Sequence, residues 1–354
     1  MDIPSHSDRT ANRPLDRKDS HLSICLEEDI SFSANGFSKF QFEHDALPEL
    51  DYSRIDLSVA LLGKRLSAPL IIGAMTGGTE RTGEINRRLA LAAEHCQVGF
   101  ALGSQRKMLE DKKAIKSYQV RDFAPKLPLV FGNLGAVQLN YGVKASQIRE
   151  LIDQVGCDAF NFHLNPLQEA IQPEGNRNFA GLISKLIETI PELQVPVFLK
   201  EVGAGISLRT ARKMKSIPFH GIETAGAGGT SWSKIEALRT QNPQAAKTGI
   251  LFAEWGTPTA ESVLHCRSEF PDRIVIASGG IRNGIEIAKA IALGADAAAT
   301  ALPILKAAEQ SVEQAIEAIE TLKTELKTAM FVTGMGSIQE LRTHGPSLLK
   351  RGDQ

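Results

Sequence analysis

Residues 274–302 read IVIASGGIRNGIEIAKAIALGADAAATAL. IVIAS is an apolar run that closes on Gly279 and Gly280, NGIEIAKAIALG carries its apolar residues at helical spacing, and ADAAATA is a second unbroken small and apolar run. Continuous rather than alternating hydrophobicity suits strands covered on both faces, as in a parallel sheet, and parallel neighbours need a crossover helix between them. The segment predicts a strand, a helix and a second strand. Read outward, the same unit recurs: APLIIGAM from Ala68, QVGFALG from Gln97, LVFGNLG from Leu129, CDAFNFHL from Cys157, VFLKEVG from Val197 and FHGIETAG from Phe219 are six more candidate strands. Amphipathic stretches such as GEINRRLALAAEH, SQIRELIDQV, GLISKLIETI, SLRTARKMKS and TAESVLHCRSEF lie between them.

Eight strands alternating with helices predict an α/β fold, a (β/α)8 TIM barrel. The long interval between the sixth and seventh strands predicts an inserted excursion over the barrel mouth. A doubly wound open sheet would carry a GxGxxG turn after an early strand, and none is present. Residues 1–66 read as an N-terminal tail plus a barrel-closing segment, IDLSVALLGKRL, whose alternation predicts a small hairpin at the bottom. Residues 67–340 read as the barrel and 341–354 as a C-terminal tail.

The chain has 354 residues, 42% hydrophobic and 23% charged, with 40 Lys+Arg against 41 Asp+Glu for a formal charge of −1. That balance gives no field to draw nucleic acid or an anionic membrane, so any anionic ligand must be held by local cations. Cys25, Cys96, Cys157 and Cys266 lie far apart without metal-ligand spacing and read as reduced and inert. The alanine-rich stretch after Ile285 is broken by Lys289 and Asp296, and the first residues lack the apolar core of a secretory signal. A cytoplasmic protein is expected.

In this fold the active site forms at the C-terminal strand ends, and phosphate sits by the seventh- and eighth-strand loops. The ends here carry Ala74, Met75, Thr76 and Gly77; Ser104, Gln105 and Arg106; Asn133; His163, Asn165, Gln168 and Glu169; Lys200; Ala225 and Thr230; Gly280, Ile281 and Arg282; and Ala301 and Leu302. Paired glycines can make a tight turn and nothing else, but two such loops at the expected strands, beside the GAGGT run from Gly226, point to a bound phosphate. Lys200 sits inside an apolar run, where a lysine is costly unless it meets an anion; the bland alternative is a rim pair with Glu201. With Asn133, Ser104 and the MTGG turn it could line a flat heteroaromatic ring. Phosphate at strands seven and eight with polar groups from strands one to five describes a flavin mononucleotide (FMN) site better than a sugar-phosphate site.

Glu169, the one acid of HLNPLQE, reads either as a helix-start charge or as a ligand for Mg2+, which takes one or two carboxylates plus phosphate oxygens. Arg17, Lys18 and His21 belong to a basic segment without core pattern. Such tails are usually solvated, yet this one, with Arg106 beneath it, can fold over the mouth as a phosphate clamp.

Taken in order, RKxxH at Arg17, MTGG at Met75, GSQR at Gly103, GNLG at Gly132, HLNPLQE at His163, QPEGNRNF at Gln172, LKEVG at Leu199, AGAGGTSW at Ala225 and SGGIRNG at Ser278 resemble the type 2 isopentenyl-diphosphate isomerases, FMN-dependent enzymes of isoprenoid synthesis. The resemblance spans nearly the whole chain. It implies that Ala74, Met75, Thr76, Gly77, Ser104, Asn133, Lys200, Ala225, Thr230, Gly280, Ile281, Arg282, Ala301 and Leu302 hold FMN. Arg17, Lys18, His21, Ser104, Gln105, Arg106, His163, Asn165 and Gln168 would bind a small-molecule diphosphate, with Glu169 on Mg2+ and Trp232 near the isoprenyl end.

No side chain is assigned as the acid or base. The resemblance implies that reduced FMN fills that role, supported by His163, Gln168, Lys200 and Trp232, and that NADPH reduces the flavin. A homo-oligomer, tetramer or octamer, is expected. Ser20 and Glu223 depart from the resemblance, where acids and an Asp respectively are usual. The alternative enzyme is an FMN-dependent 2-hydroxy-acid oxidase or dehydrogenase, which needs an Arg for the carboxylate and a His base near strand seven; only His265 is near. A flavin-dependent sensor would have no use for HLNPLQE and the basic tail together.

Overall fold

The computed structural model describes residues 16–352. Eight parallel strands close into a barrel in chain order: β1 (Leu70–Ile72), β2 (Gly99–Ala101), β3 (Val130–Gly135), β4 (Ala159–Leu164), β5 (Val197–Glu201), β6 (Gly221–Glu223), β7 (Ile274–Ser278) and β8 (Ala297–Thr300). Each expected run became a strand, with helices packed outside.

Along each strand, alternate residues point into the barrel. Ile71, Ala101, Phe131, Ala159, Phe198, Ile276, Ala297 and Ala299 fill the lower interior as one apolar cluster, and Phe131 meets Phe198 edge to face with centroids 5.2 Å apart. Gly221 makes room for this: a Cβ there would stand 2.2 Å from the Phe198 ring. One step up the same inward faces, the residues turn polar: Asn133, Asn161, His163, Lys200, Glu223 and Ser278. A barrel packed apolar below and polar above has its chemistry at one end.

The segment 55–66 forms the expected hairpin, Val59–Leu61 against Lys64–Leu66, turning through Leu62 and Gly63 at positive φ. Leu61 and Leu66 join the interior cluster and plug the bottom. The long interval after β6 folds into two packed helices, Trp232–Arg239 and Pro243–Leu251.

Residues 16–35 lie over the opposite end. Helix Arg17–Glu27 packs against Trp232–Arg239, and the chain then pairs with the loop after β6 through Phe32 N to Gly229 O at 2.9 Å and Ser231 N to Ile30 O at 2.8 Å. The stretch read as a tail from residue 341 is ordered instead. It continues helix Ile338–Leu348 and ends as strand Leu349–Arg351, antiparallel to Phe40–Phe42. Leu341 is buried against the outer helices, so this end belongs to the packed body.

Candidate functional site

The polar end of the barrel opens into a cavity with two lobes that share Lys18, His21, Ala74, Met75, Lys200, Val202 and Trp232. Lobe one runs from Thr76, Lys200 and Glu223 past Ala225 and Thr230 to Gly280, Ile281, Arg282, Ala301 and Leu302. Lobe two is lined by Arg17, Ser104, Arg106, Asn133, His163, Asn165, Gln168 and Glu169.

The far end of lobe one could hold an anion. Gly279 and Gly280 take φ of +108° and +72°, and a Cβ on Gly280 would stand 1.9 Å from Gly228 O. The seventh-strand loop thus lies backbone against backbone on the sixth. Arg282 braces the contact, donating from Nη2 to Gly228 O at 2.8 Å and from Nη1 to Gly280 O at 3.0 Å. Helix Leu302–Gln310 starts beside it with Ala301 as its N-cap and no side-chain cap, so its first N–H groups are free for a ligand at the positive end of the helix dipole.

At the other end of lobe one, Lys200 and Glu223 face each other across neighbouring strands, Nζ to Oε1 at 2.7 Å. Both are buried. The rim pair with Glu201 does not form. Glu201 points out of the barrel and its Oε2 accepts the backbone N–H groups of Val202 and Gly203 at 2.6 and 2.7 Å, and that of Ala204. Burial nonetheless pushes its carboxyl up to about 7, against the pull of those three donors.

Lobe two gathers cations around one carboxylate. Lys18 is partly accessible but hemmed in by protein; desolvation, and then the neighbouring Arg17, push its ammonium down to about 8. Arg106 Nη1 donates to Asn176 Oδ1 at 3.0 Å and Arg17 reaches Glu174 at 3.7 Å. Burial and the charges of Lys200, Lys18 and Arg17 hold His163 down to about 3, so its ring is neutral. Asn133 donates its amide to Leu102 O, which leaves its Oδ1 to accept from His163 Nδ1 at 2.7 Å. That fixes the tautomer and turns an unprotonated Nε2 toward the lobe.

Glu169 is buried and accepts from Asn165 Nδ2 at 3.1 Å and Gln172 Nε2 at 2.8 Å, and from Asn176 N. Asn165 Oδ1 is buried without a partner beside it. A buried carboxylate with an orphaned oxygen nearby suits a hard cation. The described residues hold no cluster of three acidic, His or Cys side chains, so such an ion would draw its remaining ligands from water and a phosphate-bearing substrate.

Two of the anticipated site residues stand outside the cavity. Gln105 is fully buried: its Oε1 accepts from Asn133 N at 2.8 Å, its Nε2 donates to Leu151 O at 3.2 Å and to Met108 Sδ at 3.4 Å, and its own N–H binds Asn133 O. It has no donor left for a substrate and instead holds the end of β3. Gly77 backs onto Tyr118, whose ring a Cβ would meet at 2.3 Å, and Tyr118 hydroxyl donates to Ser104 O at 2.7 Å.

The residue that sequence reading passed over is Glu236. It is wholly buried under the N-terminal helix. Gln168 Nε2 donates to its Oε1 at 3.1 Å, Arg239 Nε to its Oε2 at 2.8 Å, and His21 Nε2 approaches at 3.1 Å, off the line of a well-formed hydrogen bond. Burial pushes this carboxyl up, but His21, Gln168 and Arg239 together hold it down at about 2. Burial holds the His21 ring below its ordinary value against the pull of Glu236. His21 also stands edge-on to Trp232 at 5.2 Å. A signal was available: Trp232 and Glu236 are four apart, on one helical face.

Three comparisons bear on this geometry. A family model described as FMN-dependent dehydrogenase matches residues 252–348, which include the glycine loop and the uncapped helix end. Among curated proteins, the chain is 44% identical over 98% of its length to the isopentenyl-diphosphate delta-isomerase of Nostoc sp., covering 98% of that protein. It is 46% identical to the one from Halobacterium salinarum, over 92% of this chain and 91% of the relative. Among solved structures, mandelate oxidase with 3,3-difluoro-2-hydroxy-3-phenylpropionic acid superposes with a TM-score of 0.63 at 18% identity, over 92% of this chain and 93% of the other, a likeness of fold.

Proposed function

The chain belongs to the isopentenyl-diphosphate delta-isomerase family, and from that premise we propose that it interconverts isopentenyl and dimethylallyl diphosphate, with reduced FMN in lobe one and the Mg2+-bound diphosphate in lobe two. The observation that carries this reading is the joined cavity: a glycine loop beside an uncapped helix end at one end, a cationic lobe with one buried carboxylate at the other, and Met75 and Trp232 between them. A 2-hydroxy-acid oxidase is less well supported. His265 lines neither lobe, its Nδ1 lying 3.3 Å from Ile206 O.

When bound, reduced FMN supplies the proton donor and acceptor for an allylic shift that involves no net oxidation. The chain's own residues do the rest. Arg17, Lys18 and Arg106 hold the diphosphate by charge-assisted contacts, and neutral His163 accepts a proton shared with a phosphate oxygen. Glu169 would hold Mg2+, which would offset the diphosphate charge and fix that group's position relative to the alkene. Glu236 orients Gln168 toward the substrate, and Trp232 and Met75 offer the isoprenyl end an apolar, water-poor wall. Fixing the diphosphate places the alkene, so that binding energy from the remote group serves orientation.

We read the working form as a cytoplasmic homo-oligomer reduced by NADPH. Exposed Leu238, Ile250, Leu251 and Trp255 on the excursion favour self-association. No helix among the described residues is long and apolar enough to cross a membrane.

Anaerobic proton NMR with FMN, NADPH, Mg2+ and isopentenyl diphosphate tests the activity. New methyl signals of dimethylallyl diphosphate, with NADPH consumed only to reduce the flavin, are expected; bound, reduced flavin without product would sink the reading. Gly280→Ala is expected to weaken FMN binding roughly tenfold, about 1.4 kcal/mol, since the methyl group meets Gly228 O and a positive φ disfavours it. Flavin fluorescence quenching reads that affinity.

Lys18 sets a pH limit. Its ammonium loses its proton near pH 8 in the free site, and an adjacent diphosphate raises that value. Affinity is therefore flat below about pH 8 and falls by up to about tenfold per unit above it. Diphosphate binding measured between pH 7 and 9.5 shows this break, and Lys18→Met removes it.

A further inference from the structure

Strand register brings a second charged side chain into the flavin lobe. Phe198, Leu199 and Lys200 of β5 pair with Gly221, Ile222 and Glu223 of β6, so the two inward-facing charges come out side by side at the barrel top. Lys200 Nζ lies 2.7 Å from Glu223 Oε1, and that oxygen also accepts from Ser278 Oγ at 2.9 Å. Ser278 Oγ is itself held, accepting from Ala225 N at 3.0 Å, so its proton is directed at Glu223. The carboxylate is thus fixed from two sides, and the ammonium is fixed by the carboxylate. Both side chains line lobe one and both are almost completely shielded from water, at 9% and 4% exposure.

A lone lysine here would present a full positive charge to the polar edge of a flavin. Paired, it presents a strong local dipole with no net charge, and in a shielded site that difference acts on the cofactor with little screening. We propose that Glu223 is a positioning residue that acts on FMN through Lys200, aiming the ammonium and offsetting its charge so that the anionic reduced flavin is not over-stabilised. This rests on the FMN reading of lobe one. A reduced flavin held by an uncompensated cation would be a weak base. One beside a compensated pair keeps proton affinity near the working pH, which is what an acid–base role requires. The compensation works against the reduced form, so removing Glu223 makes the flavin easier to reduce. If the ammonium keeps its proton in the variant, the reduced flavin feels an unopposed cation; if it loses it, reduction draws the proton back. The reduced state gains either way.

The test is the reduction potential of bound FMN, read by equilibration with a reference dye in the native protein, Glu223→Gln and Glu223→Asp, after absorbance has established one FMN per chain. Glu223→Gln is expected to raise the reduced-to-oxidised ratio at a fixed potential about tenfold, equivalent to about 30 mV for two electrons. Glu223→Asp keeps the charge on a shorter stem and falls between. Should Glu223→Gln fail to fold, a rise in the Asp variant still decides the matter. Ratios within about 1.5-fold of native in FMN-loaded variants overturn the proposal, as does weaker FMN binding with an unmoved potential, the mark of a purely structural role. A native protein that takes up no FMN overturns the flavin reading itself.

Discussion

Glu236→Ala is expected to lower folding stability by about 3–5 kcal/mol and kcat/KM by a hundredfold or more. The carboxylate is fully buried where three elements meet: the N-terminal helix through His21, the HLNPLQE turn through Gln168, and its own helix through Arg239. Arg239 retains Glu174, at 2.7 Å, so the larger losses fall on Gln168 and His21, both of which line lobe two. Stability and activity should therefore fall together in Glu236→Ala. In Glu236→Gln, which keeps the shape, activity should fall more than stability. Urea unfolding and steady-state kinetics separate the two. Because the carboxyl is held at about 2, its contribution is complete above the ordinary range for a glutamate, and is lost as pH falls through about 2. Native kcat/KM in Glu236→Ala would remove Glu236 from the site.

The fold was legible because each barrel strand is announced twice, by an unbroken apolar run and by the small or polar residue that ends it. Gly279 and Gly280 could be read as a loop of close backbone approach, which only glycine tolerates. What sequence hides is direction. Gln105 sits between two residues that do face the cavity, Ser104 and Arg106, and its place inside the wall follows from a hydrogen bond to Asn133 that no spacing shows. Lys200 reads as odd in an apolar strand, but whether it pairs with Glu201 next to it or Glu223 across the sheet depends on register and alternation. The residues after 341 look like a polar tail because their partner strand, Phe40–Phe42, lies some three hundred positions earlier. Glu236 is hidden for a related reason: it serves residues from two distant segments, and its spacing from Trp232 places it on the right helical face without showing that they converge on it.

Glu169→Gln is expected to reduce turnover at limiting Mg2+ by about a hundredfold or more, with excess Mg2+ recovering part of the loss. The site offers one carboxylate and amide oxygens, and the described residues contain no group of three acidic, His or Cys side chains that could form a protein-only cage. On the proposed function the metal would be bound jointly with the diphosphate, and removing the one anionic protein ligand would weaken that ternary contact without creating a void. A glutamine in this position also turns an NH2 group toward Asn165, Gln172 or Asn176, each of which donates to the native carboxylate, so one buried donor loses its acceptor. Two readouts divide these effects. Mg2+ dependence measured at several diphosphate concentrations should show a raised metal requirement that falls as substrate rises, because each ligand helps to hold the other. Thermal unfolding without metal or substrate should show the cost of the misplaced amide alone. If Glu169→Gln needed no more Mg2+ than the native protein, the ion would have to be held entirely by the diphosphate and water, and Glu169 would be left with the structural task of ordering the turn at Asn176.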